Sequence, residues 1–456
     1  MSKEVLLVTS WNEFEIKSLS QLAEELETRD YTVHLFSPAA EHIDRNKLSG
    51  NVYQQLESQP SELPTPEQIE SECGIPSLPH LYFTDKQYFA LSESEVVLRS
   101  RSMAAGLKQT FAETDLDFVF QGRGGEIQRL LAHYLAQQHD VASVWGEFSP
   151  FENRTAFSTQ LDGKWDSYTT IPDYEIPQGE REDIDEYINS FTSDKKVYNH
   201  SMKNNDARKI IKKVTDTVKS LSTAVAGNTP NNPYRYGIRK LRANVYGRIN
   251  NRILPSIKKS KKLCEKNKFV LLPLQYPIES RLTVFSPEFF DQSFLIDYLS
   301  RILPSNIKLF VKQHPNHPGK QSPAWIQRVS RRNTVELLHP SFNTHEVIEQ
   351  AEGVVVTNNT VGFEAIFYNV PLVVLGNAFY GDVPAATRVS DLSSLPEAMA
   401  RALGETVSDS VVRSSIYSLR EATYPGMPIH EAAARNDSDQ LSIIVDSLLS
   451  FVEDHT

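Results

Sequence analysis

Apolar residues along this chain fall in short bursts that alternate with stretches repeating every three or four positions. Residues 4–9, Glu-Val-Leu-Leu-Val-Thr, have the length and apolar content of a buried strand. Residues 16–26 carry helical spacing, and 31–36 read as a second strand, so the chain opens as a βαβ unit. Residues 48–81 are rich in Pro, Ser and Glu with weak periodicity, which predicts an excursion or loop. Helical spacing resumes over 93–111, a strand follows at 117–120, and Gly122-Arg123-Gly124-Gly125 leads into a helix over 126–138 and a strand over 141–145.

A second alternation starts at Lys268. Strands are expected at 269–274, 307–312, 353–357 and 370–375, with helices over 289–303, 345–351 and 361–368; residues 390–456 are helical by their spacing. Repeated strand-helix-strand units imply mostly parallel sheets covered by helices. The expected fold is therefore α/β, with two Rossmann-like domains facing a cleft and a basic helical insertion between them. The expected divisions are an N-terminal domain at 1–200, the insertion at 201–266, a C-terminal domain at 267–390 and closing helices at 391–456. Ligands in open α/β sheets bind at the carboxyl ends of the strands, which directs attention to the loops there.

Composition narrows the class. The 456 residues are 40% hydrophobic and 23% charged with 25 prolines, an ordinary globular balance that can fill two cores. Two distant cysteines, Cys73 and Cys264, suggest neither a disulfide framework nor a zinc site and fit a reducing cytoplasm. No stretch reaches the roughly 18 apolar residues of a membrane span, and the N-terminal run reads as a strand rather than a signal peptide. A net charge of −11 argues against general nucleic-acid affinity. The charge is uneven: residues 175–186 are acidic, whereas 203–268 hold roughly eighteen Lys or Arg against three acids. That basic stretch is either a solvated helical hairpin or a surface for anionic lipid, with Lys209, Lys212 and Lys213 at its front.

Candidate chemistry concentrates between Lys312 and Tyr380. A strand-like run ends in Lys312-Gln313-His314-Pro315, and Thr357-Asn358-Asn359-Thr360-Val361-Gly362-Phe363-Glu364 opens a helix after the next one. An imidazole at a strand end can donate to a phosphate oxygen, and Pro315 ends the strand. The same histidine also fits an ordinary strand-to-loop turn. Hydroxyl and amide side chains at a helix start sit beside unpaired N–H groups that favour an anion, although Asn359 or Thr360 as a simple cap fits equally. Gly362 allows close backbone approach, and Glu364 either accepts from ribose hydroxyls or is a solvated helix residue. Lys312 and Lys320 either add charge near a phosphate or are solvated.

Four motifs in order, residues 272–280 (Leu-Pro-Leu-Gln-Tyr-Pro-Ile-Glu-Ser), 312–315, 359–365 and 375–380 (Leu-Gly-Asn-Ala-Phe-Tyr), resemble bacterial capsule polysaccharide biosynthesis proteins, a family that includes the β-Kdo transferases of capsule export. The resemblance implies a two-Rossmann glycosyltransferase-B fold and a CMP-activated sugar donor. It places the donor on Gln275, Glu279, Lys312, His314, Pro315, Thr357, Asn358, Asn359, Thr360, Gly362 and Glu364. The family more often has Asp where this chain has Glu279.

An inverting transferase needs a base, expected from the N-terminal domain. Glu147 in Gly146-Glu147-Phe148-Ser149-Pro150-Phe151-Glu152-Asn153-Arg154, a stretch resembling the family's Glu-aromatic-Pro-Arg segment, lies closest to a strand end; Glu152 is second. Arg154 either contacts acceptor or pairs with one of these acids. The Gly122, Arg123 and Gly124 turn is placed near the acceptor, with Arg123 suited to an anionic sugar. It lacks the Lys-Ser/Thr of a triphosphate loop. The expected partners are a nucleotide-sugar donor, a polysaccharide or lipid-linked glycan acceptor and an anionic membrane surface, with no nucleic acid, no metal and no other cofactor. The alternatives are a glycerophosphotransferase, a nucleotide-sugar epimerase, or a non-catalytic scaffold in polysaccharide assembly.

Overall fold

The computed structural model describes residues 3–40, 43–44, 48–56, 58–85, 91–195, 233–276, 279–315 and 321–455. Residues 201–232, with Lys209, Lys212 and Lys213, lie outside them, as do Pro277, Ile278 and Lys320. In chain order the strands are β1 (Lys3–Val8), β2 (Tyr31–Phe36), β3 (Val52–Tyr53), β4 (Phe118–Gly122), β5 (Ala142–Glu147), β6 (Arg154–Ser158), β7 (Phe269–Pro273), β8 (Lys308–Lys312), β9 (Val335–Leu338), β10 (Gly353–Val356), β11 (Leu372–Val374), β12 (Ala386–Arg388) and β13 (Tyr424–Pro425). They form two sheets, ordered β13-β6-β5-β4-β1-β2-β3 and β12-β11-β10-β7-β8-β9. Pairing is parallel throughout the second sheet and antiparallel only at β5–β6 and β6–β13 in the first.

The compact units do not follow the expected boundaries. The first comprises residues 1–169 and 419–456, the second 170–418. Residues 170–195 belong to the second because the Phe191 ring stacks on Phe367 at 3.9 Å and Arg413 donates to Asp173 and Asp185 at 2.7 and 2.8 Å. Residues 391–418 therefore stay with the second unit, and only the final stretch joins the first. The described part of the basic insertion is also not separate. Its helix Pro233–Ile253 is tied to the second unit by Asn250, which donates to the Gln321 carbonyl at 2.9 Å, and by Leu254 in that unit's core.

In the first unit, Val5, Leu7, Val33, Leu35, Phe118 and Phe120 fill one face of the sheet beneath the helix Glu13–Glu27. The helix Ser438–His455 covers the same core with Ile444, Leu448 and Phe451, and Arg29 pairs with Asp446 at 2.8 Å. The stretch expected to be loop holds β3 and two short helices, Pro66–Cys73 and Leu78–Tyr82. Thr65 and Gln68 form a reciprocal capping box around Pro66, and Ile69, Cys73, Leu78 and Leu81 are buried, so the Pro- and Glu-rich composition is a helix start rather than an irregular excursion. In the second unit Val270, Leu272, Val311 and Val355 meet Leu295, Ile326 and Met399 from the covering helices.

Candidate functional site

The second sheet reverses its winding at β7. The chain runs outward from β7 to β8 and β9, then returns to place β10 on the other side of β7. The crevice at such a reversal, beyond the carboxyl ends of the strands, is where open α/β sheets hold ligands. Gln275 follows β7 and Asn358 follows β10, and the Gln275 amide Nε2 donates to Asn358 Oδ1 at 2.5 Å across this point. Asn358 Nδ2 donates to Ser286 Oγ at 2.8 Å and to the Arg281 carbonyl. Gln292 completes the frame, accepting from the Gln275 backbone N–H at 2.7 Å and donating to its carbonyl at 3.1 Å. Gln275 and Asn358 are thus locked by neighbours, so they fix the shape of the strand ends.

Asn359 is the cap. Its Oδ1 accepts from the Val361 N–H at 3.1 Å, and its Nδ2 donates to the Pro273 carbonyl at 2.9 Å, joining the helix Thr360–Ile366 to β7. That helix is only seven residues long, so its aligned peptide dipoles are few and attraction for an anion must come mainly from nearby cationic side chains. Thr357 is buried at the end of β10, and its carbonyl accepts from Gly376 N at 3.0 Å; Thr360 is half-buried. Gly362 has a clear steric reason: a Cβ there would lie 2.6 Å from the Tyr380 ring, whose hydroxyl donates to the Asn359 carbonyl.

Two charged residues at this frame are buried, which removes the solvated reading left open for each. Lys312 and Glu364 are each 4% exposed. Lys312 Nζ donates to the Pro340 carbonyl at 3.0 Å, while the Glu364 carboxyl makes no hydrogen bond among the described residues. Burial pulls the Lys312 amine down to about 8, opposed by the attraction of Glu364, and pushes the Glu364 carboxyl up to about 8, opposed by Lys312. His314 is half-buried with its ring edge-on to Tyr276 at 6.3 Å; burial, then the Lys312 charge, hold its pKa below the ordinary imidazole value. Pro315 is half-buried, and Glu279 starts the short helix Ser280–Thr283. Gln292 and Ser286 were not singled out by sequence, whereas Tyr380 closes the motif at 375–380. Gln313, between Lys312 and His314, is 2% exposed with both amide atoms unpartnered among the described residues.

The candidates in the first unit are arranged differently from expectation. Glu147 ends β5, and its carboxylate is ion-paired with Arg123, whose guanidinium lies 4.8 Å over the Trp145 ring. Arg123 also donates to the Gln160 carbonyl at 3.1 Å, so its charge is already matched rather than waiting for an anionic sugar. Arg154 pairs with neither acid: it donates to Thr423 Oγ1 at 2.5 Å and to the Thr423 carbonyl, and Glu152 is exposed in the turn before β6. The glycine turn is filled by an arginine that sequence reading missed. Arg129 is 3% exposed, pairs with Glu15 and with Glu126 at 3.3 Å, and donates to the Gly122 carbonyl at 2.8 Å; a Cβ on Gly124 would strike Glu126 and Arg129.

The family model for capsule polysaccharide biosynthesis proteins matches residues 183–408, a span that contains the whole crevice of the second unit. The capsule polysaccharide modification protein LipB of Neisseria meningitidis, serogroups A and B, is 29% identical over 141 residues. That alignment covers 28% of this chain and 32% of LipB, so the chain spans about a third of the length of these relatives. Among solved structures, the β-Kdo 2,4 transferase KpsC of Thermosulfurimonas dismutans is similar over 68% of this chain and 79% of its own, with 11% identity and a TM-score of 0.38. The matched segment 183–408 carries the crevice residues Gln275, Lys312, His314, Asn358, Asn359 and Glu364, and through it the chain is similar to the capsule polysaccharide biosynthesis proteins.

Proposed function

We propose that this protein is an inverting glycosyltransferase of surface-polysaccharide biosynthesis, transferring a sugar from a CMP-linked, Kdo-like donor to a glycan or glycolipid acceptor. The observation that carries the reading is the buried Lys312 and Glu364 beside His314 at the winding reversal of the second sheet. A departing nucleotide phosphate needs cationic donors in a site that excludes water, and Lys312 and His314 supply them without a metal. Glu364, largely neutral at neutral pH, is able to donate or accept at a ribose or sugar hydroxyl. Glu279, Thr357, Thr360 and Gly362 complete the donor side. Glu147, released from Arg123 by acceptor binding, takes the acceptor proton, with Glu152 as the second candidate.

The acceptor is assigned to the first unit near Gly122, Arg123, Gly124 and Arg154. The cytoplasm is its proposed compartment, in keeping with Cys73 and Cys264 as buried free thiols. Among the described residues no helix is long and apolar enough to cross a membrane.

Calorimetric titration of CMP, CDP and UDP into wild type and His314→Ala tests the donor assignment. The reading expects CMP to bind most tightly and His314→Ala to weaken it by about tenfold or more, the scale of a lost charge-assisted hydrogen bond. Binding of none of the three by wild type overturns it in favour of a non-catalytic scaffold. Preference for UDP without acceptor-dependent turnover favours an epimerase. Turnover retained in excess chelator supports metal independence; loss restored by magnesium removes it.

A further inference from the structure

The helix Pro233–Ile253 carries a row of exposed aliphatic side chains. Val245, Ile249 and Ile253 are 47, 39 and 38% exposed, and Ile257, just beyond the Pro255 turn, is 47% exposed. Positions four apart on a helix lie one above the other, so the first three form a stripe along one side. Asn250 and Leu254 are buried on a different side, so the stripe is not the face by which this helix packs on its unit. Single exposed aliphatics are ordinary, but an aligned series is not.

The charges around the stripe are of one sign. Arg248 and Arg252 flank it on the same helix, and Lys258, Lys259 and Lys262 follow on the helix Ile257–Lys266; all five are exposed and none makes an ion pair among the described residues. Glu265 is the acid in the stretch from 242 to 266. Apolar side chains flanked by Arg and Lys match an anionic bilayer, with the aliphatics entering the acyl boundary and the long basic side chains reaching the headgroups. A protein partner as apolar as the stripe would leave these charges unanswered.

We propose that the stripe Val245, Ile249 and Ile253, with Ile257 beyond it and the basic flanks, docks this unit on an anionic lipid surface. The proposal does not depend on the transferase reading, because docking is measured without nucleotide or acceptor. Co-sedimentation of the full chain with phosphatidylcholine vesicles, with and without phosphatidylglycerol, is the test. Wild type is expected to partition to the anionic vesicles and not to the neutral ones. Ile249→Asp with Ile253→Asp, or Arg248→Glu with Arg252→Glu, is expected to reduce partitioning about tenfold or more, as the loss of one or two buried aliphatic groups implies. A single Ile249→Trp variant keeps the test independent of any folding defect: its emission should shift to the blue on adding anionic vesicles. Partitioning unchanged by both double variants, an Ile249→Trp emission that does not move, or a dimer in sedimentation velocity that the Ile249 and Ile253 substitutions dissolve, would each overturn the proposal.

Discussion

Arg123 is ion-paired with Glu147 while its guanidinium rests against the Trp145 ring, and both charged side chains are more than nine-tenths buried. A buried pair costs desolvation to form and more to break, because removing one partner strands the other charge. Arg123→Ala should therefore lower stability by about 3–5 kcal/mol, read as a lower urea midpoint, while the double replacement Arg123→Met, Glu147→Leu recovers most of it. Glu147→Gln keeps the shape but also strands the Arg123 charge, so its urea midpoint should fall as well and its turnover is read per folded molecule, below that midpoint. If Glu147 is the base, that turnover falls by about 10²–10⁴. Turnover at the wild-type level removes Glu147 from the mechanism.

Glu364 gives stability a pH dependence of definite sign. Its carboxyl titrates at about 8 in the folded chain against an ordinary value of 4.5, so the folded state keeps a proton that the unfolded state has released. Its contribution is fully present below about 4.5 and is lost as pH rises through about 8. Lys312, lowered to about 8 from 10.5, acts the other way in a higher window: its penalty is present below about 8 and relieved as pH rises towards 10.5. Glu364→Gln should match wild type in unfolding midpoint near pH 5 and exceed it near pH 8. An identical pH profile for the two proteins contradicts the buried-carboxyl assignment.

His314 starts from a depressed pKa, so in the free protein it is mostly neutral at neutral pH. A phosphate bound beside it favours the charged imidazole and raises that pKa, so binding takes up protons and affinity falls as pH rises between the free and bound values. Calorimetry in buffers of different ionisation enthalpy should show net proton uptake on CMP binding, reduced in His314→Ala. Equal uptake by wild type and His314→Ala rules out the contact.

Gly362→Ala places a methyl group 2.6 Å from the Tyr380 ring, which is fully buried and cannot swing away freely. The expected cost is about 1–3 kcal/mol in chemical denaturation, with donor affinity weakened because Tyr380 also holds the Asn359 carbonyl at the cap. Adding Tyr380→Ala to Gly362→Ala should relieve the overlap, leaving less destabilisation than the two single changes summed.

Much of the α/β alternation was legible because the central strands are buried on both faces and announce themselves as continuous apolar runs, β7 and β8 above all. The missed elements lack that signature. β6 runs Arg-Thr-Ala-Phe-Ser and follows a turn with Asn153 in the left-handed region at φ 53°, while β13 is two residues long. In the site, the cap at Asn359 and the glycine at 362 were readable because local geometry demands them. Burial of Lys312 and Glu364 was not, because it depends on β9 and the loop at Pro340, which are separate in sequence. Nor could spacing show that Arg129, rather than a ligand, fills the glycine turn.

The first sheet is assembled from two distant parts of the chain: β13 pairs with β6 through Tyr424–Thr155 and Pro425–Arg154, and Arg154 reaches Thr423. During synthesis residues 170–418 are all made before β13, so most of the second unit leaves the ribosome while the first still lacks a strand and the helix Ser438–His455. Interruption of synthesis near residue 418 would yield the second unit with an incomplete companion. That order of assembly leaves the first sheet open on one side until residues 419–456 are made.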